Sequence, residues 1–231
     1  MKKEMIVIKD LKRYYKTGNI VVKALNGVSF KIKEGEFIAI MGPSGSGKTT
    51  MLRILGLIDK PTKGEYVIND LDVVNLPEEE SAYYRLTQLG YVFQDYALIN
   101  DMSAVENVYI LSLMEGASKK KAWEIAKDAL EKVGLGDKLD RIPDQLSGGE
   151  KQRVAVARAI SKTPKILFAD EPCANLDTNT SAQVLDVLKI LNEKYGQTIV
   201  MVTHEDWHIK YASRVISLRD GKIVSDKQRR K

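Results

Sequence analysis

The chain has 231 residues, of which 44% are hydrophobic and 29% are charged, and this balance excludes a disordered or collagen-like protein. A chain of this length can bury a sizeable core without help from disulfides or a structural metal. The single cysteine, Cys173, excludes an internal disulfide and is typical of a reducing, intracellular compartment.

Charge and hydropathy argue against two further classes of protein. A formal net charge of +5 is too small to indicate a nucleic-acid-binding protein, so no nucleic-acid partner is expected. No apolar run approaches the roughly 18 residues that a membrane-spanning helix needs, so the chain is expected in the cytosol unless a partner holds it at a membrane. The basic ends, Lys2, Lys3 and residues 227–231, are expected to be solvated tails with a weak attraction to anionic membranes.

The first third of the chain is predicted to form mostly strands. Apolar and polar residues alternate over 28–33, which is the period-two pattern of a half-buried strand. Residues 37–41 form a continuous apolar run of the length expected for a fully buried strand. A helix is predicted from Lys48 to Gly56, and residues 64–69 are predicted to form another short strand.

Helices dominate the middle of the chain. Ser103 and Glu106 have the spacing of a capping box, which predicts a helix that starts there. Residues 118–133 carry apolar side chains at helical spacing, and a third helix is predicted from Ser147 onward. Because strand patterns are absent, about residues 96–160 are predicted to be a helical subdomain inserted into a mainly parallel sheet.

The last third returns to alternating strands and helices. Buried strands are predicted at 166–169 and 198–202, with a helix over 180–194 between them. Residues 215–224 predict a β-hairpin whose turn, Asp220–Gly221, suits a backbone with positive φ. Strand, helix and strand in sequence predict an α/β fold with a parallel sheet and right-handed crossovers.

The strongest motif is a glycine-rich loop, GPSGSGKT at residues 42–49, between the buried strand and the first helix. Its form, GxxxxGK[ST], predicts a phosphate-binding loop. The glycines let backbone N–H groups point toward phosphate oxygens, and the helix N-terminus adds partial positive charge. Lys48 is expected to reach the β- and γ-phosphates, and the Thr49 hydroxyl is expected to bind Mg²⁺.

Two carboxylates, Asp170 and Glu171, follow the buried strand of residues 166–169. They lie at the carboxyl end of a core strand, where ligands bind in α/β sheets. One carboxylate can hold the metal through water, and the other can orient or polarise the attacking water.

A second glycine pair lies at the predicted start of the third helix, in the segment LSGGE at residues 146–150. Ser147 and Glu150 have capping-box spacing, which by itself explains them as helix caps. Two adjacent glycines weaken a first helical turn, however, and are explained better if an anion approaches the bare backbone. The sequence thus predicts two separate helix starts that face phosphate.

In this order, the motifs resemble those of the nucleotide-binding subunits of ABC transporters over nearly the whole chain. Residues 42–50 resemble the Walker A loop, residues 166–171 the Walker B strand with its catalytic glutamate, and LSGGE the family signature. Gln94 resembles the Q-loop glutamine, residues 174–177 the D-loop, and His204 the switch histidine.

The resemblance implies a role for each matching residue. Glu171 would be the general base for water, and His204 would contact the γ-phosphate. The Mg²⁺ ligands would be Thr49, Gln94 and Asp170. The residues that would contact the nucleotide are Tyr15, Gly42, Pro43, Ser44, Gly45, Ser46, Gly47, Lys48, Thr49, Thr50, Gln94, Ser147, Gly148, Gly149 and Asp177.

Some positions stay ambiguous or depart from the family pattern. Tyr15 would stack on adenine, judged by its distance from the first strand, and Tyr14 is a competitor for that position. Glu205 follows the switch histidine where aspartate is common in the family, and Cys173 precedes the D-loop where threonine is common. Neither departure touches the implied chemistry. His208 is expected to be a packing or surface residue rather than a ligand.

The resemblance implies an α/β P-loop NTPase fold with a RecA-like parallel sheet core, an N-terminal antiparallel β subdomain and an inserted helical subdomain, all in one nucleotide-binding domain of residues 1–231. The implied function is to bind and hydrolyse ATP with Mg²⁺, to dimerise around ATP, with a homodimer expected, and to drive an integral membrane permease from the cytoplasmic face of the membrane. Residues 93–98 and 102–108 look most like the branch that serves lipoprotein, macrolide and peptide exporters with MacB-like permeases.

Three other functions remain open on the sequence. A mechanical or signalling ATPase of the same family would act on an envelope protein without transport. A family member of translation or DNA repair usually carries two cassettes or a long coiled-coil insert, and neither is present. A P-loop GTPase or kinase is disfavoured because residues 192–195, NEKY, lack the final aspartate of GTPase base recognition.

Overall fold

The computed structural model describes residues 3–229, which form two β-sheets and six α-helices. In chain order the strands and α-helices are β1 (Glu4–Thr17), β2 (Ile20–Lys33), β3 (Phe37–Met41), α1 (Lys48–Leu55), β4 (Lys63–Ile68), β5 (Leu71–Asp72), α2 (Glu78–Gln88), β6 (Leu89–Val92), α3 (Ala104–Met114), α4 (Lys119–Lys132), α5 (Gly148–Ile160), β7 (Ile166–Asp170), α6 (Thr178–Tyr195), β8 (Thr198–Val202), β9 (Arg214–Arg219) and β10 (Lys222–Gln228). Two short 3₁₀ helices, Pro143–Gln145 and Asp206–Tyr211, precede α5 and β9.

A six-stranded sheet forms the centre of the molecule, in the order β10-β9-β3-β8-β7-β6. Strands β9, β3, β8, β7 and β6 run parallel, and β10 joins β9 antiparallel through a hairpin. Asp220 and Gly221 form its turn with φ of 49° and 71°, as the Asp-Gly pair predicts. The parallel strands with helical crossovers confirm the predicted α/β fold.

This sheet separates two apolar cores, because alternate side chains of a strand point to opposite faces. In β3, Phe37 and Ala39 join a core shared with helices α3 to α6. Ile38 and Ile40 join a second core shared with α1 and the other sheet. Since β3 is buried on both faces, its sequence is a continuous apolar run rather than an alternating one.

The second sheet is antiparallel, in the order β2-β1-β4-β5. Its register pairs Tyr14 with Lys23 and Tyr15 with Val22. The backbone N–H of Asn26 donates to the Gly221 carbonyl at 2.8 Å, so β2 is tied to the β9–β10 hairpin. This antiparallel unit therefore lies beside the end of the central sheet that carries the phosphate loop.

Helices α3, α4 and α5 follow one another with no strand between β6 and β7. Ser103 caps α3 and Ser147 caps α5, each in a capping box with the glutamate three residues later. The predicted fold class is confirmed, while the limits of the helical subdomain at 96–160 and of a single domain at 1–231 stay predictions. Among residues 3–229, no helix has both the length and the apolar run needed to cross a bilayer.

Helix α2 and strand β6 are among the elements that the sequence patterns do not predict. Helix α2 buries Ser81 alone among its residues, and Pro77 at its N-cap offers no side-chain hydrogen bond. Without an apolar stripe or a capping signal, the helical period is not visible. Strand β6 has four residues and contains Gly90, which has a weak strand propensity.

Residues 227–229 of the basic C-terminal segment are exposed, as expected, but they do not form a free tail. Lys227 and Gln228 belong to β10, because β9 offers an edge with which they pair. Arg229 donates its backbone N–H to the Ser213 carbonyl at 2.8 Å. Lys3 lies 2.8 Å from Asp70 in an exposed ion pair. The basic residues outside the described part of the chain are Lys2, Arg230 and Lys231.

Candidate nucleotide-binding site

The phosphate loop connects β3 to α1 in a conformation that glycine permits. Gly42, Gly45 and Gly47 have φ of 153°, 75° and 100°, values that residues with a Cβ rarely adopt. An added Cβ at Gly47 would also collide with the carbonyl oxygen of Ala24. Gly47 is the N-cap of α1 and offers no side-chain acceptor. The first N–H groups of this helix are therefore available to an anion.

Lys48 is buried beside this loop and is only 6% exposed. Its Nζ donates to the carbonyl oxygens of Gly42 and Pro43, each at 2.9 Å. Carbonyl dipoles do not neutralise a buried ammonium. An anion bound in the loop would balance the positive charge of Lys48. The hydroxyl of Ser46 is also buried and has no hydrogen-bond partner within residues 3–229.

Asp170 ends β7 and faces the first turn of α1. The Thr49 hydroxyl donates to its Oδ1 at 3.4 Å, and the Tyr91 hydroxyl from β6 donates to its Oδ2 at 3.5 Å. Burial raises the pKa of Asp170, while these two hydrogen bonds act in the opposite direction. A bound cation stabilises a carboxylate that burial has desolvated.

The oxygen atoms of Thr49 and Asp170 fit Mg²⁺, which takes hard oxygen ligands in proteins. Within residues 3–229, no group of three or more His, Cys, Asp or Glu could hold a metal by itself. Mg²⁺ commonly uses one or two protein ligands together with water and substrate phosphates. The residues present therefore fit Mg²⁺ that arrives with a nucleotide.

Glu171 follows Asp170 in a left-handed backbone conformation with φ of 43°. Such strain costs about 1–3 kcal/mol in a residue with a Cβ, and it concentrates at functional sites. The Glu171 N–H donates to the Val202 carbonyl at 3.1 Å. Its Oε2 lies 3.1 Å from Nδ1 of His204, whose Nε2 is 3.3 Å from Oε1 of Glu205. The imidazole thus bridges two carboxylates.

A cavity of about 1070 Å³ opens between β1, β2, the phosphate loop and the residues that follow β7 and β8. Its walls are formed by Tyr15, Val22, Lys23, Ala24, Asn26, Pro43, Ser44, Gly45, Gly47, Lys48, Thr49, Thr50, Glu171, His204 and Asp220. Tyr15 lines this cavity, whereas Tyr14 does not and donates its hydroxyl to Asn26 Oδ1 at 2.8 Å. The volume suits a cofactor-sized ligand.

The LSGGE residues do not line this cavity. The Ser147 hydroxyl accepts from the Glu150 N–H at 3.4 Å, and the Glu150 carboxylate accepts from the Ser147 N–H at 2.8 Å. Lys138 pairs with Glu150, and together these contacts lower the pKa of Glu150 to about 2. Gly149 packs against Thr180, where a Cβ would collide with the methyl group. Packing therefore accounts for part of the glycine requirement.

Asp177 and Gln94 also lie outside the cavity wall. Asp177 is the N-cap of α6, and its Oδ1 accepts from the N–H groups of Asn179 and Thr180 at 2.9 Å and 3.0 Å. Gln94 is exposed, and its carbonyl accepts from the Asn175 side chain at 3.4 Å. One chain therefore brings together the phosphate loop, Tyr15, Glu171 and His204, but not the signature, the D-loop aspartate or Gln94.

Several residues of the site belong to no nucleotide-binding motif. Lys23 and Asn26 come from β2, and Asp220 comes from the β9–β10 turn. Tyr91 reaches Asp170 from the neighbouring strand β6. These residues meet through strand pairing, so the spacing along the chain holds no signal for them.

A phosphate loop after the central strand β3 and two successive carboxylates at the end of β7 define a P-loop protein that binds nucleoside triphosphates. Known proteins specify this class further. The family model described as ABC transporter matches residues 25–174. MJ1508, an uncharacterized ABC transporter ATP-binding protein of Methanocaldococcus jannaschii, is 48% identical over 95% of this chain and 98% of its own length.

Two named relatives and one solved structure are similarly close. The lipoprotein-releasing system ATP-binding protein LolD of Syntrophus aciditrophicus is 46% identical over 96% of this chain and 99% of its own length. The macrolide export ATP-binding/permease protein MacB of Chlorobium luteolum is 50% identical over 97% of this chain, which spans only 34% of MacB. A dimeric structure of the ATP-binding cassette MJ0796 bound to ADP and Pi matches with a TM-score of 0.90 and 39% identity, covering 98% of this chain and 100% of that chain.

This chain therefore belongs to the ABC transporter family and is an ATPase cassette of that family. The resemblance to the branch of MacB and LolD is confirmed over nearly the whole chain.

Proposed function

We propose that two copies of this chain hold ATP and Mg²⁺ between them and hydrolyse ATP to drive a membrane permease. The Glu171–His204 pair carries this proposal, because it lies in the wall of the same cavity as the phosphate loop, with 3.1 Å between Oε2 and Nδ1. A base for water and a contact for the γ-phosphate thus face the space beside the loop.

Each group in the cavity would have one task. The loop N–H groups and Lys48 bind the β- and γ-phosphates, which positions the nucleotide. Thr49 and Asp170 would hold Mg²⁺, and Gln94, whose exposed loop lies outside the cavity wall, would have to move inward to reach the same metal. Mg²⁺ neutralises charge on the phosphate oxygens when it is bound. Glu171 takes the proton of the attacking water, and His204 contacts the γ-phosphate.

The second copy completes the site. Ser147, Gly148 and Gly149 lie at the N-terminus of the 13-residue helix α5 and away from the cavity of their own chain. A helix N-terminus with bare glycine backbone favours an anion. We therefore assign Ser147, Gly148 and Gly149 to the γ-phosphate bound to the partner copy, and we place the D-loop residue Asp177 at the same shared nucleotide site. The dimeric structure of the similar cassette MJ0796 supports this arrangement.

The replacement Glu171→Gln tests the proposal. It removes the base but keeps the shape of the side chain, so ATP binding persists, hydrolysis slows by about 100-fold or more, and an ATP-dependent dimer accumulates. Light scattering with and without ATP measures the dimer. Glu124→Gln, on the exposed surface of α4, is the matched control and leaves the wild-type monomer–dimer balance unchanged.

Two results would count against the proposal. A Glu171→Gln variant that binds ATP and stays monomeric at saturating ATP contradicts the homodimer. Lys48→Ala with unchanged ATP affinity contradicts the role of the phosphate loop. Because the two variants probe assembly and binding separately, the failed step is identified.

An apolar groove of about 500 Å³ lies beside the loop that carries Gln94, between β6 and α3. Phe93, Ile99 and Met114 in its wall are 37%, 42% and 66% exposed, which is a large apolar surface for one region. We assign this groove to a cytoplasmic segment of the permease. Residues of the loop that carries Gln94 form part of the groove wall, so a motion of that loop would move the contact surface. The similarity to MacB, whose name joins an ATP-binding part and a permease, supports this partner. The contact would place the chain at the cytoplasmic face of the membrane.

Met114→Asp tests the groove as the permease site. The new charge opposes burial of an apolar partner segment, so co-purification of the membrane protein falls while ATP hydrolysis by the isolated chain is retained. Val224→Asp is the matched control, because Val224 is 61% exposed on β10 and outside the groove. If co-purification of the membrane protein falls equally with Met114→Asp and Val224→Asp, the assignment is contradicted. A co-purified envelope protein without a transport pathway would favour the mechanical or signalling ATPase instead.

A further inference from the structure

We infer that His208 is a positioning residue for ATP hydrolysis, because it accepts a hydrogen bond from Thr203 that holds the loop carrying His204. The inference rests on the proposed contact between His204 and the γ-phosphate. It concerns how that imidazole is held in place rather than what it touches.

His208 lies in the 3₁₀ helix after β8 and is only 3% exposed. Its Nδ1 is 2.7 Å from Oγ1 of Thr203. The same oxygen accepts from the N–H of Glu205 at 3.2 Å. The Thr203 N–H donates to the carbonyl of Ile40 at the end of β3, at 3.1 Å. Thr203 is thus fixed to the central sheet through its backbone. Its hydroxyl forms hydrogen bonds with two residues of the turn, Glu205 and His208.

The directions of these hydrogen bonds follow from the atoms available. The Thr203 hydroxyl has a single proton, and its oxygen already accepts from Glu205. Thr203 is buried, and within residues 3–229 its proton has no other acceptor, so the arrangement that satisfies it is donation to Nδ1 of His208, the unprotonated nitrogen of a neutral ring. Burial lowers the pKa of His208, which favours this neutral form. Among the ionisable groups near this ring, Glu205 raises its pKa, whereas His204 and Lys210 lower it.

The hydrogen bond between Thr203 and Glu205 connects the residues on both sides of the switch histidine, His204. Thr203 and Glu205 are the two chain neighbours of His204, and the bond between them fixes the backbone on both sides of it. The imidazole of His204 then points its Nδ1 at Glu171, 3.1 Å away. Without an acceptor at His208, the Thr203 hydroxyl is free to rotate, and the link to Glu205 loosens.

Packing leaves open space on one side of this turn. A cavity of about 140 Å³ lies between the turn and the β7–α6 loop. Glu171, His204 and His208 line it together with the buried thiol of Cys173. A side chain beside open space can shift, whereas one in a close-packed core cannot. A displacement of a catalytic group by about 1 Å can cost roughly 100-fold in rate, so a hydrogen bond that limits movement of this turn affects the rate.

The test compares substitutions that remove or keep the acceptor. His208→Leu and Thr203→Val each break the bond with little change in volume, and each lowers kcat for ATP hydrolysis by about tenfold with the KM for ATP changed less than about twofold. His208→Asn places an amide oxygen near the position of Nδ1 and restores most of kcat. The double variant loses no more than Thr203→Val alone, because that change already removes the bond to His208 together with the bond from the Glu205 N–H.

Controls separate positioning from folding and from the proposed function. Cys173→Ala enlarges the same cavity without touching Thr203 and leaves kcat within about twofold, and thermal unfolding is measured for every variant. Thr203→Val keeps the imidazole in its packing, so it tests the bond if His208→Leu is unstable. A folded His208→Leu or Thr203→Val variant with wild-type kcat overturns the inference, as does His208→Asn with no recovery. A fully active His204→Ala instead overturns the proposed role of His204.

Discussion

The guanidinium carbon of Arg13 stands 4.5 Å from the ring centroid of Tyr15, in cation–π contact at the mouth of the cavity. The Tyr15 hydroxyl donates to Oδ2 of Asp59 at 2.7 Å, and Arg13 pairs with the same carboxylate at 2.8 Å. The ring is therefore oriented before a nucleotide binds. A preoriented ring loses less conformational freedom when a base stacks on it.

Tyr15→Ala is expected to weaken ATP binding by about tenfold, because stacking of a base on an aromatic ring contributes roughly 1–3 kcal/mol. Tyr15→Phe keeps the ring and loses only the bond to Asp59, so its effect is smaller. Calorimetric titration with ATP measures both variants. Tyr14→Ala is the control from the same strand. If it weakens ATP binding more than Tyr15→Ala does, Tyr14 rather than Tyr15 stacks on adenine.

Gly47→Ala is expected to lower the free energy of unfolding by about 1–3 kcal/mol and to abolish tight ATP binding. The position combines a φ of 100° with a collision between a Cβ and the Ala24 carbonyl, so the loop must shift. Gly18→Ala is the matched control, because Gly18 has φ of 57° with nothing within 4 Å of an added Cβ. Chemical denaturation and ATP titration of both variants check the prediction, and an equal loss in both would show that the collision is unimportant.

Asp177 has a measurable structural role besides the one proposed for it. Asp177→Ala removes the N-cap of α6 and is expected to lower the free energy of unfolding by about 1 kcal/mol, whereas Asp177→Asn keeps an acceptor and most of the stability. Denaturant titration measures this difference. In the Glu171→Gln background, Asp177→Asn is expected to reduce the ATP-dependent dimer. An unchanged dimer would leave Asp177 as a helix cap alone.

Acid is expected to destabilise the protein through His208. Burial lowers the pKa of this residue below the ordinary value of 6.5, so below that pH the unfolded chain binds more protons than the folded one. The contribution of His208 is fully present above pH 6.5 and is lost as the pH falls through the folded-state pKa. Urea unfolding between about pH 5 and 8 measures the slope.

His208→Asn is expected to reduce that slope, because it cannot take up a proton. Glu205, His204 and Lys210 are present in both proteins, so the comparison isolates the change at position 208. The thiol of Cys173 stays neutral throughout, since burial raises its pKa to about 12. An identical pH dependence in the wild type and the variant would contradict the assignment.

Features that depend on neighbours along the chain could be predicted from the sequence. The phosphate loop of residues 42–49, the capping boxes at Ser103 and Ser147, and the Asp220–Gly221 turn are all made by residues within a few positions of one another. Their hydrogen bonds and φ values are local, so residue type and spacing contain the necessary information. Buried strands are visible for the same reason, because burial on both faces leaves an unbroken apolar run.

The tertiary structure decided which of these local features meet. Tyr15 rather than Tyr14 lines the cavity because the β1–β2 register turns successive side chains to opposite faces. Lys23 and Asp220 reach the cavity by strand pairing, and the acceptor role of His208 exists only because the turn after β8 folds back on Thr203. Such contacts depend on packing between segments distant in sequence or on a turn without a motif, and residue spacing does not encode them.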